Sequence, residues 1–240
     1  MRYLITFSYD GTNYSGYQRQ LNHKTIQGEI ENALNKISGG EYIKLCSSGR
    51  TDKGVHAINQ KAHFDLNKKI TLYKLRSAIN RYIDNDIYVK DIKIVPNDFH
   101  ARYMVRRKIY TYKINTSDYN PLERYYIYQY NKPLNIKKIK QQVKYLIGTH
   151  DFSSFANKEE KKESYIRTIY KIKVNYKSNI LSITFIGNGF LKYQVRNMVG
   201  ALIDVSNSKK GIKTILEAKD RSLFGKIAPS EGLYLEDVKY

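Results

Sequence analysis

The order of elements constrains this fold more than any single motif, because strand, helix, strand, strand, helix, strand can be read along the chain twice. Residues 3–9 set Tyr3, Ile5, Phe7 and Tyr9 against Leu4, Thr6 and Ser8, the period of two of a strand that ends at Asp10-Gly11. Ile26, Ile30, Ala33, Leu34 and Ile37 then recur at helical spacing, with Thr25 as cap and Gly39-Gly40 as stop. Strands follow at 42–46 and 57–64. Leu72, Leu75, Ile79, Tyr82 and Ile83 mark a second helix behind Thr71, and 87–95 closes this half as a strand before Pro96.

From 105 onward the order repeats. It predicts a strand at 105–115, a helix at 136–147, a hairpin of 169–176 with 180–186, a helix at 191–205 and a last strand at 233–239. The segment 119–130 and a short helix at 212–219 are additions to the second copy. The chain therefore reads as α/β (α+β), with two ferredoxin-like β-α-β-β-α-β halves at 1–104 and 105–240. Their sheets are expected to be mixed and largely antiparallel and to meet at a central cleft, the natural place for a substrate. The repeat rests on element order, since the halves share no quotable identity.

Charge narrows the partners. Lys and Arg number 42 against 22 Asp and Glu, and the resulting +20 favours a polyanion, foremost a nucleic acid. A genome rich in A and T would also raise Lys, Asn, Ile and Tyr, but it leaves the shortage of acids unexplained. The 23 tyrosines suit stacking on unpaired bases as well as packing in strands. A single cysteine, Cys46, lies in an apolar segment and allows neither an intrachain disulfide nor a cysteine metal cluster. The first residues lack a signal-peptide layout and no apolar run approaches a membrane span, so a cytoplasmic enzyme or RNA-binding protein is expected.

Chemistry concentrates in Gly49-Arg50-Thr51-Asp52-Lys53-Gly54-Val55-His56-Ala57. Here one carboxylate stands between cations in a loop bracketed by glycines, and the nearby positive charge favours its ionised form. That suits a nucleophile better than a general acid. Three further segments have loop character with charged or aromatic groups. In the segment from Tyr9-Asp10-Gly11 to Gly16-Tyr17-Gln18-Arg19-Gln20, Tyr14, Tyr17, Arg19 and the glutamines suit RNA contacts or form an ordinary polar loop. Phe99-His100-Ala101-Arg102 leads to Arg106-Arg107-Lys108 and the strand bearing Tyr110, a residue that either packs or stacks on an extruded base. The glycines of Gly187-Asn188-Gly189-Phe190 open a helix whose entry can offer amides to an anion. Its Arg196, beside Val195 and Val199, needs a partner such as Asp52.

His23, His56, His63, His100 and His150 show no spacing that groups three metal ligands, and His56 and His63 read as phosphate contacts or packing residues. No P-loop or dinucleotide glycine signature is present, so no nucleotide cofactor is expected.

These segments together resemble the tRNA pseudouridine synthases of the TruA type. The resemblance runs through Tyr9-Asp10-Gly11-Thr12-Asn13-Tyr14-Ser15-Gly16, Gly49-Arg50-Thr51-Asp52, Gly54-Val55-His56-Ala57, Phe99-His100-Ala101-Arg102 and Tyr110-Thr111-Tyr112. It continues through His150-Asp151-Phe152-Ser153-Ser154-Phe155, Val195-Arg196-Asn197-Met198-Val199-Gly200, Ala228-Pro229 and Gly232-Leu233-Tyr234-Leu235. It implies the pseudouridine synthase fold and isomerisation of uridines in the anticodon arm of tRNA, at positions 38, 39 and 40. Asp52 matches the catalytic aspartate, Arg50 and Arg196 its flanking arginines, and Tyr110 the tyrosine that stacks on the target base. Members act in the cytoplasm as homodimers on tRNA, with no metal or organic cofactor.

Two positions depart from the pattern. Lys53 stands where the family usually has alanine, and it either alters the choice of uridine or turns outward to a phosphate. Tyr17 replaces a usual tryptophan while keeping an aromatic surface. A tRNA-binding factor without catalysis is the competing reading. A carboxylate nuclease or glycosidase is disfavoured, because the sequence offers one candidate acid and not a pair.

Overall fold

A computed structural model of the chain describes residues 1–157 and 163–240. Its internal contacts divide it into two units, Met1–Arg106 with Tyr234–Tyr240, and Arg107–Leu233.

The first unit runs β1 (Arg2–Tyr9), α1 (Ile26–Ser38), β2 (Cys46–Ser47), β3 (His56–Asp65), α2 (Leu72–Tyr82) and β4 (Ile87–Val95). β1 lies between β4 and β3, antiparallel to both, and β2 adds to β3, as a ferredoxin-like sheet requires. Tyr3, Ile5, Phe7 and Tyr9 are all buried, so one face of the central strand is covered along its length, while on the other face Leu4 is buried and Thr6 and Ser8 are partly exposed. Both helix starts behave as the sequence predicts. The Thr25 hydroxyl accepts from Gly28 N at 3.2 Å and Thr71 from Lys74 N at 3.3 Å, while Gly39 ends α1 in the left-handed region at φ 89°.

The strand expected at 42–46 shrinks to Cys46–Ser47. Ile43 and Leu45 are buried, yet the Leu45 amide donates to Glu31 Oε1 at 3.0 Å instead of joining a ladder. Glu31, 2% exposed on α1, also accepts from Gln27 Nε2 at 2.9 Å and pairs with Arg19 at 3.4 Å. A buried carboxylate has thus taken the amide that β pairing needs.

The second unit contains β5 (Arg107–Asn115), β6 (Tyr128–Gln129), α3 (Ile136–Gln142), β7 (Gly148–Asp151), β8 (Ile166–Lys177), β9 (Ile180–Gly187), α4 (Gln194–Ser206) and α5 (Ile212–Ala218). β9 pairs antiparallel with β5 and β8, β7 extends the sheet beyond β8, and β6 runs parallel to β5. Ser178 and Asn179, at φ 50° and 61°, make the two-residue turn of the β8–β9 hairpin. The helix expected at 136–147 is α3 followed by a tighter turn over Val143–Leu146, and β7 was not anticipated. α4 begins at Gln194 and not at 191, because Tyr193 takes a left-handed φ of 65°.

The chain closes with β10 (Leu233–Lys239), whose Tyr234 and Leu235 pair parallel with His56 and Ala57 of β3. The closing strand expected in the second half is therefore held, from Tyr234 onward, by contacts of the first unit. Asn59 Nδ2 donates to Glu236 O at 3.0 Å and the Arg106 amide to Lys239 O at 2.9 Å, fastening it there.

On β3, His63 is 4% exposed, and burial, helped by the charges of Arg2 and His100, pushes its pKa down to about 4. The unfolded chain takes up that proton near pH 6.5, so stability due to the neutral ring is present above pH 6.5 and lost as pH falls through 4. The expected loss is at most about 3 kcal/mol. Denaturant unfolding between pH 7 and pH 4 should show it, and His63→Asn should flatten that limb.

Candidate active site

Asp52 is carried by a loop with little regular structure of its own, fastened from both sides. At its entry, Ser48 N donates to Lys61 O at 2.8 Å, the Ser48 hydroxyl donates to Gln60 Oε1, and Gln60 Nε2 donates to Gly49 O at 3.0 Å. Gln60 and Ser48 are fully buried, so these bonds are shielded from water. The hydroxyls of Thr51 and Tyr9 lie 2.8 Å apart, and Thr51 O accepts from Tyr17 N at 3.1 Å. A turn through Lys53 and Gly54, with Gly54 at φ 76°, brings Val55 N within 3.2 Å of Asp52 O.

The loop after β1 is pressed directly onto this turn. A Cβ on Gly11 would overlap the Val55 carbonyl oxygen, and one on Gly16, at φ 99°, would sit 3.2 Å from Thr51 O, 3.3 Å from Lys53 N and 3.4 Å from Asp52 C. Gly11 N also donates to His56 Nδ1 at 3.1 Å, and the His56 ring stacks on Tyr234 with centroids 4.9 Å apart. Tyr14 and Tyr17 are each 1% exposed. Tyr17 supports the Asp52 loop through its amide, and Tyr14 packs within its own loop beneath the Lys24 ammonium, so neither ring is the exposed RNA contact the sequence suggested. His56, 2% exposed, likewise packs.

The loop presents three charged side chains differently. Asp52 is half-exposed, while Arg50 and Lys53 are exposed and form no ion pair among the described residues. Arg50 therefore sits near Asp52 in sequence without being bonded to it.

In the second unit Tyr110 lies on β5 opposite Phe185 of β9 and is 8% exposed. Phe190 meets it edge to face, with centroids 5.3 Å apart and planes at 85°. Arg196 stands in the first turn of α4. Its Nε donates to Ala228 O at 2.8 Å, Ala228 N returns a bond to Arg196 O at 3.2 Å, and its guanidinium lies 5.4 Å from the Tyr193 ring centroid. The strap 228–232 is held in turn by Tyr112, whose hydroxyl donates to Pro229 O at 2.6 Å. A Cβ on Gly232 would meet Lys113 O and the Tyr112 ring at 2.7 Å.

This strap also carries Glu231, a carboxylate that no sequence motif singles out. Burial pushes the Glu231 carboxyl up, against the opposing pull of the Arg196 guanidinium. Glycine and proline flanking Ser230-Glu231 were the available signal. The entry to α4 is less open to an anion than its glycines suggest, since Leu191 N donates to Gln194 Oε1 at 2.8 Å and Asn188 N to Thr168 O at 3.0 Å.

The family model described as tRNA pseudouridine synthase matches residues 5–104 and 143–240. The chain belongs to the tRNA pseudouridine synthase family. It is 43% identical over 247 aligned positions to the tRNA pseudouridine synthase A of Ligilactobacillus salivarius, covering all of this chain and 96% of that one. It is 40% identical to the tRNA pseudouridine synthase A of Anoxybacillus flavithermus, covering all of this chain and 98% of the other. A tRNA pseudouridine synthase A 2 of Bacillus cereus matches at 41%, with 99% of each chain covered. Among solved structures, one from a Cbf5-Nop10-Gar1 complex aligns at a TM-score of 0.38 and 10% identity over 84% of this chain and 53% of that one, which is too low to bear on the fold.

Within this pseudouridine synthase the fold brings together one group of potential metal ligands that sequence spacing does not reveal. Cys46, His63 and His100 offer ligand atoms within 4.8 Å of one another. The second-layer bonds oppose a metal. His63 Nδ1 accepts from Ala101 N at 3.1 Å, and His100 Nδ1 from Arg102 N and Tyr103 N at 3.2 and 3.3 Å. Each neutral ring then carries its proton on Nε2, leaving neither nitrogen with a free lone pair. Among the described residues no helix is long and apolar enough to cross a membrane. Arg102, Arg106, Arg107, Lys137, Lys140 and Lys144 are exposed.

Gly11→Ala should displace the Asp52 loop, because the added methyl meets main chain, which cannot rotate away. Thermal unfolding should report a loss of about 1–3 kcal/mol, with a larger proportional loss of turnover.

Proposed function

We propose that this tRNA pseudouridine synthase acts on anticodon-arm uridines, at positions 38, 39 and 40, with Asp52 as catalytic carboxylate and Arg50, Tyr110 and Arg196 as substrate-binding residues. The observation that carries the reading is the half-exposed Asp52 on a loop whose main chain is clamped by Gly11, Gly16, Gln60 and Tyr9. A carboxylate held this way loses little freedom on meeting its substrate.

The product defines the chemistry. Uridine is joined to ribose through N1 and pseudouridine through C5, so the N1–C1′ bond breaks, the base turns, a C5–C1′ bond forms, C5 loses its proton and N1 gains one. An ionised carboxylate serves attack on C1′, proton removal from the ribose towards a glycal, or addition at base C6. The uridine must leave its stack, and a tyrosine ring at 110 replaces stacking worth about 1–3 kcal/mol. Arginines at 50 and 196 supply charge for a phosphate or for the carboxylate itself. The exposed cations on 102–107 and 137–144 suit the tRNA backbone. The same reading makes the enzyme a cytoplasmic homodimer that needs no metal or organic cofactor.

Carbodiimide mapping of tRNA incubated with Asp52→Asn should find pseudouridine formation reduced at least about a thousandfold, with tRNA affinity kept. Near-normal turnover by this variant would sink the assignment and leave a tRNA-binding factor as the reading. Tyr110→Phe should keep both RNA binding and turnover, whereas Tyr110→Ala should weaken the reaction by about the stacking energy above. Lys53→Ala should lower the slope of log affinity against log salt by about one while the Asp52 chemistry persists, the behaviour of a lost phosphate contact.

A further inference from the structure

Two aromatic side chains beside Tyr110 and Arg196 have no part in the reaction as described. They sit on the connection between β9 and α4, Asn188-Gly189-Phe190-Leu191-Lys192-Tyr193. Phe190 sets its ring edge to face with Tyr110, at 5.3 Å and 85°. Three residues later, Tyr193 lies beneath the Arg196 guanidinium at 5.4 Å, with the Lys192 ammonium 5.2 Å from the same ring. One short connection thus touches both substrate-binding residues of this unit.

The connection is well braced. Asn188 exchanges two bonds with Thr168, N to O and Oδ1 from N, each at 3.0 Å. A Cβ on Gly187 would press on Thr168 O at 2.7 Å and on the Phe190 ring at 3.1 Å, so the chain and that ring are in close contact. Leu191 N is held by the fully buried Gln194 at 2.8 Å, and Tyr193 O accepts from Asn197 N at 2.8 Å. On its other side, the guanidinium is fixed by the bond from Arg196 Nε to Ala228 O at 2.8 Å.

Tyr193 itself is the outlier. Its φ of 65° belongs to the left-handed region, which glycine or asparagine enters with less strain than a bulky aromatic residue. An aromatic ring kept at such a place points to a use for the ring, since the backbone alone would favour a smaller residue. Guanidinium above a ring face is attractive and directional, and an edge-to-face contact fixes the tilt of a neighbouring ring.

We infer that Phe190 and Tyr193 are positioning residues, Phe190 fixing the plane in which Tyr110 presents its ring and Tyr193 fixing the Arg196 guanidinium. This rests on the reading that Tyr110 and Arg196 bind substrate. Without the two rings both groups keep their other contacts but lose the one that sets their tilt, and displacements of about 1 Å at a reacting centre cost up to about a hundredfold in rate.

Single-turnover pseudouridine formation tests the inference through two double-mutant cycles. Tyr193→Asn tolerates the left-handed backbone and removes the ring, with Tyr193→Gly as a second variant should the first fold poorly. Phe190→Leu keeps apolar volume without an aromatic edge. Each should slow the chemical step about tenfold, with tRNA affinity within about twofold of wild type and a melting temperature shifted too little to account for the loss, while Tyr193→Phe retains the wild-type rate. In an Arg196→Lys background the loss from Tyr193→Asn should vanish, and in a Tyr110→Leu background so should the loss from Phe190→Leu, because each ring acts through the residue already changed. Fully additive losses, losses that track a fallen melting temperature, or wild-type rates in the single ring variants would overturn the inference. If Arg196→Lys and Tyr110→Leu themselves turn over normally, the substrate-binding reading fails, an outcome distinct from additive cycles.

Discussion

The approach of one main chain to another, without side chains between them, is the constraint on which the rest depends. The loop after β1 reaches the Asp52 turn through Gly11 and Gly16, and no residue with a Cβ fits at Gly11 without moving Val55. Packing of this kind fixes a backbone more firmly than side-chain contacts do, because neither partner has a rotamer to change. Buried polar bonds from Gln60, Ser48 and Tyr9 then satisfy the peptide and hydroxyl groups around the turn. A loop is thereby given a fixed shape while Asp52 remains partly exposed.

The second unit solves the same problem by other means. Tyr110 is placed by a strand and its register, opposite Phe185, and Arg196 by the first turn of a helix whose remaining face is core. The strap 228–232 lies across both β5 and α4, held by the Tyr112 hydroxyl, by Gly232 against Lys113, and by Gly200, where a Cβ would lie 3.4 Å from Ala228 N and overlap the oxygen of Lys226 just before the strap. Glycines again mark the points where chains touch. A half-buried carboxylate, Glu231, comes with the strap and lies within electrostatic reach of the Arg196 guanidinium.

Much of the fold was legible because periodicity reports burial directly. Thr25 and Thr71 cap where expected, β4 has its expected bounds, and the hairpin of β8 and β9 turns through two residues with positive φ. The failures share a cause. The segment 42–46 buries Ile43 and Leu45, yet Glu31 from α1 takes the amide of Leu45, a partner distant in sequence that no local pattern displays. Tyr14 and Tyr17 looked like a nucleic-acid surface because they sit in a polar loop, but that loop folds inward onto the Asp52 turn. Cys46, His63 and His100 converge from three segments, and the backbone donors that hold both rings in a form unsuited to metal are equally invisible in sequence.

By itself the sequence determined the element order, the cap and turn positions, the cationic character and the motifs that mark the family, since each depends on residues close together or on composition alone. Tertiary structure decided what those residues do for one another. It made the glycines of the first loop into contact points, drew β10 from Tyr234 onward to β3, left Arg50 and Lys53 unpaired among the described residues, and set Phe190 and Tyr193 against Tyr110 and Arg196. The physical reason is that close approach, burial and hydrogen-bond competition join groups far apart along the chain, and their outcome exists only once the chain has packed.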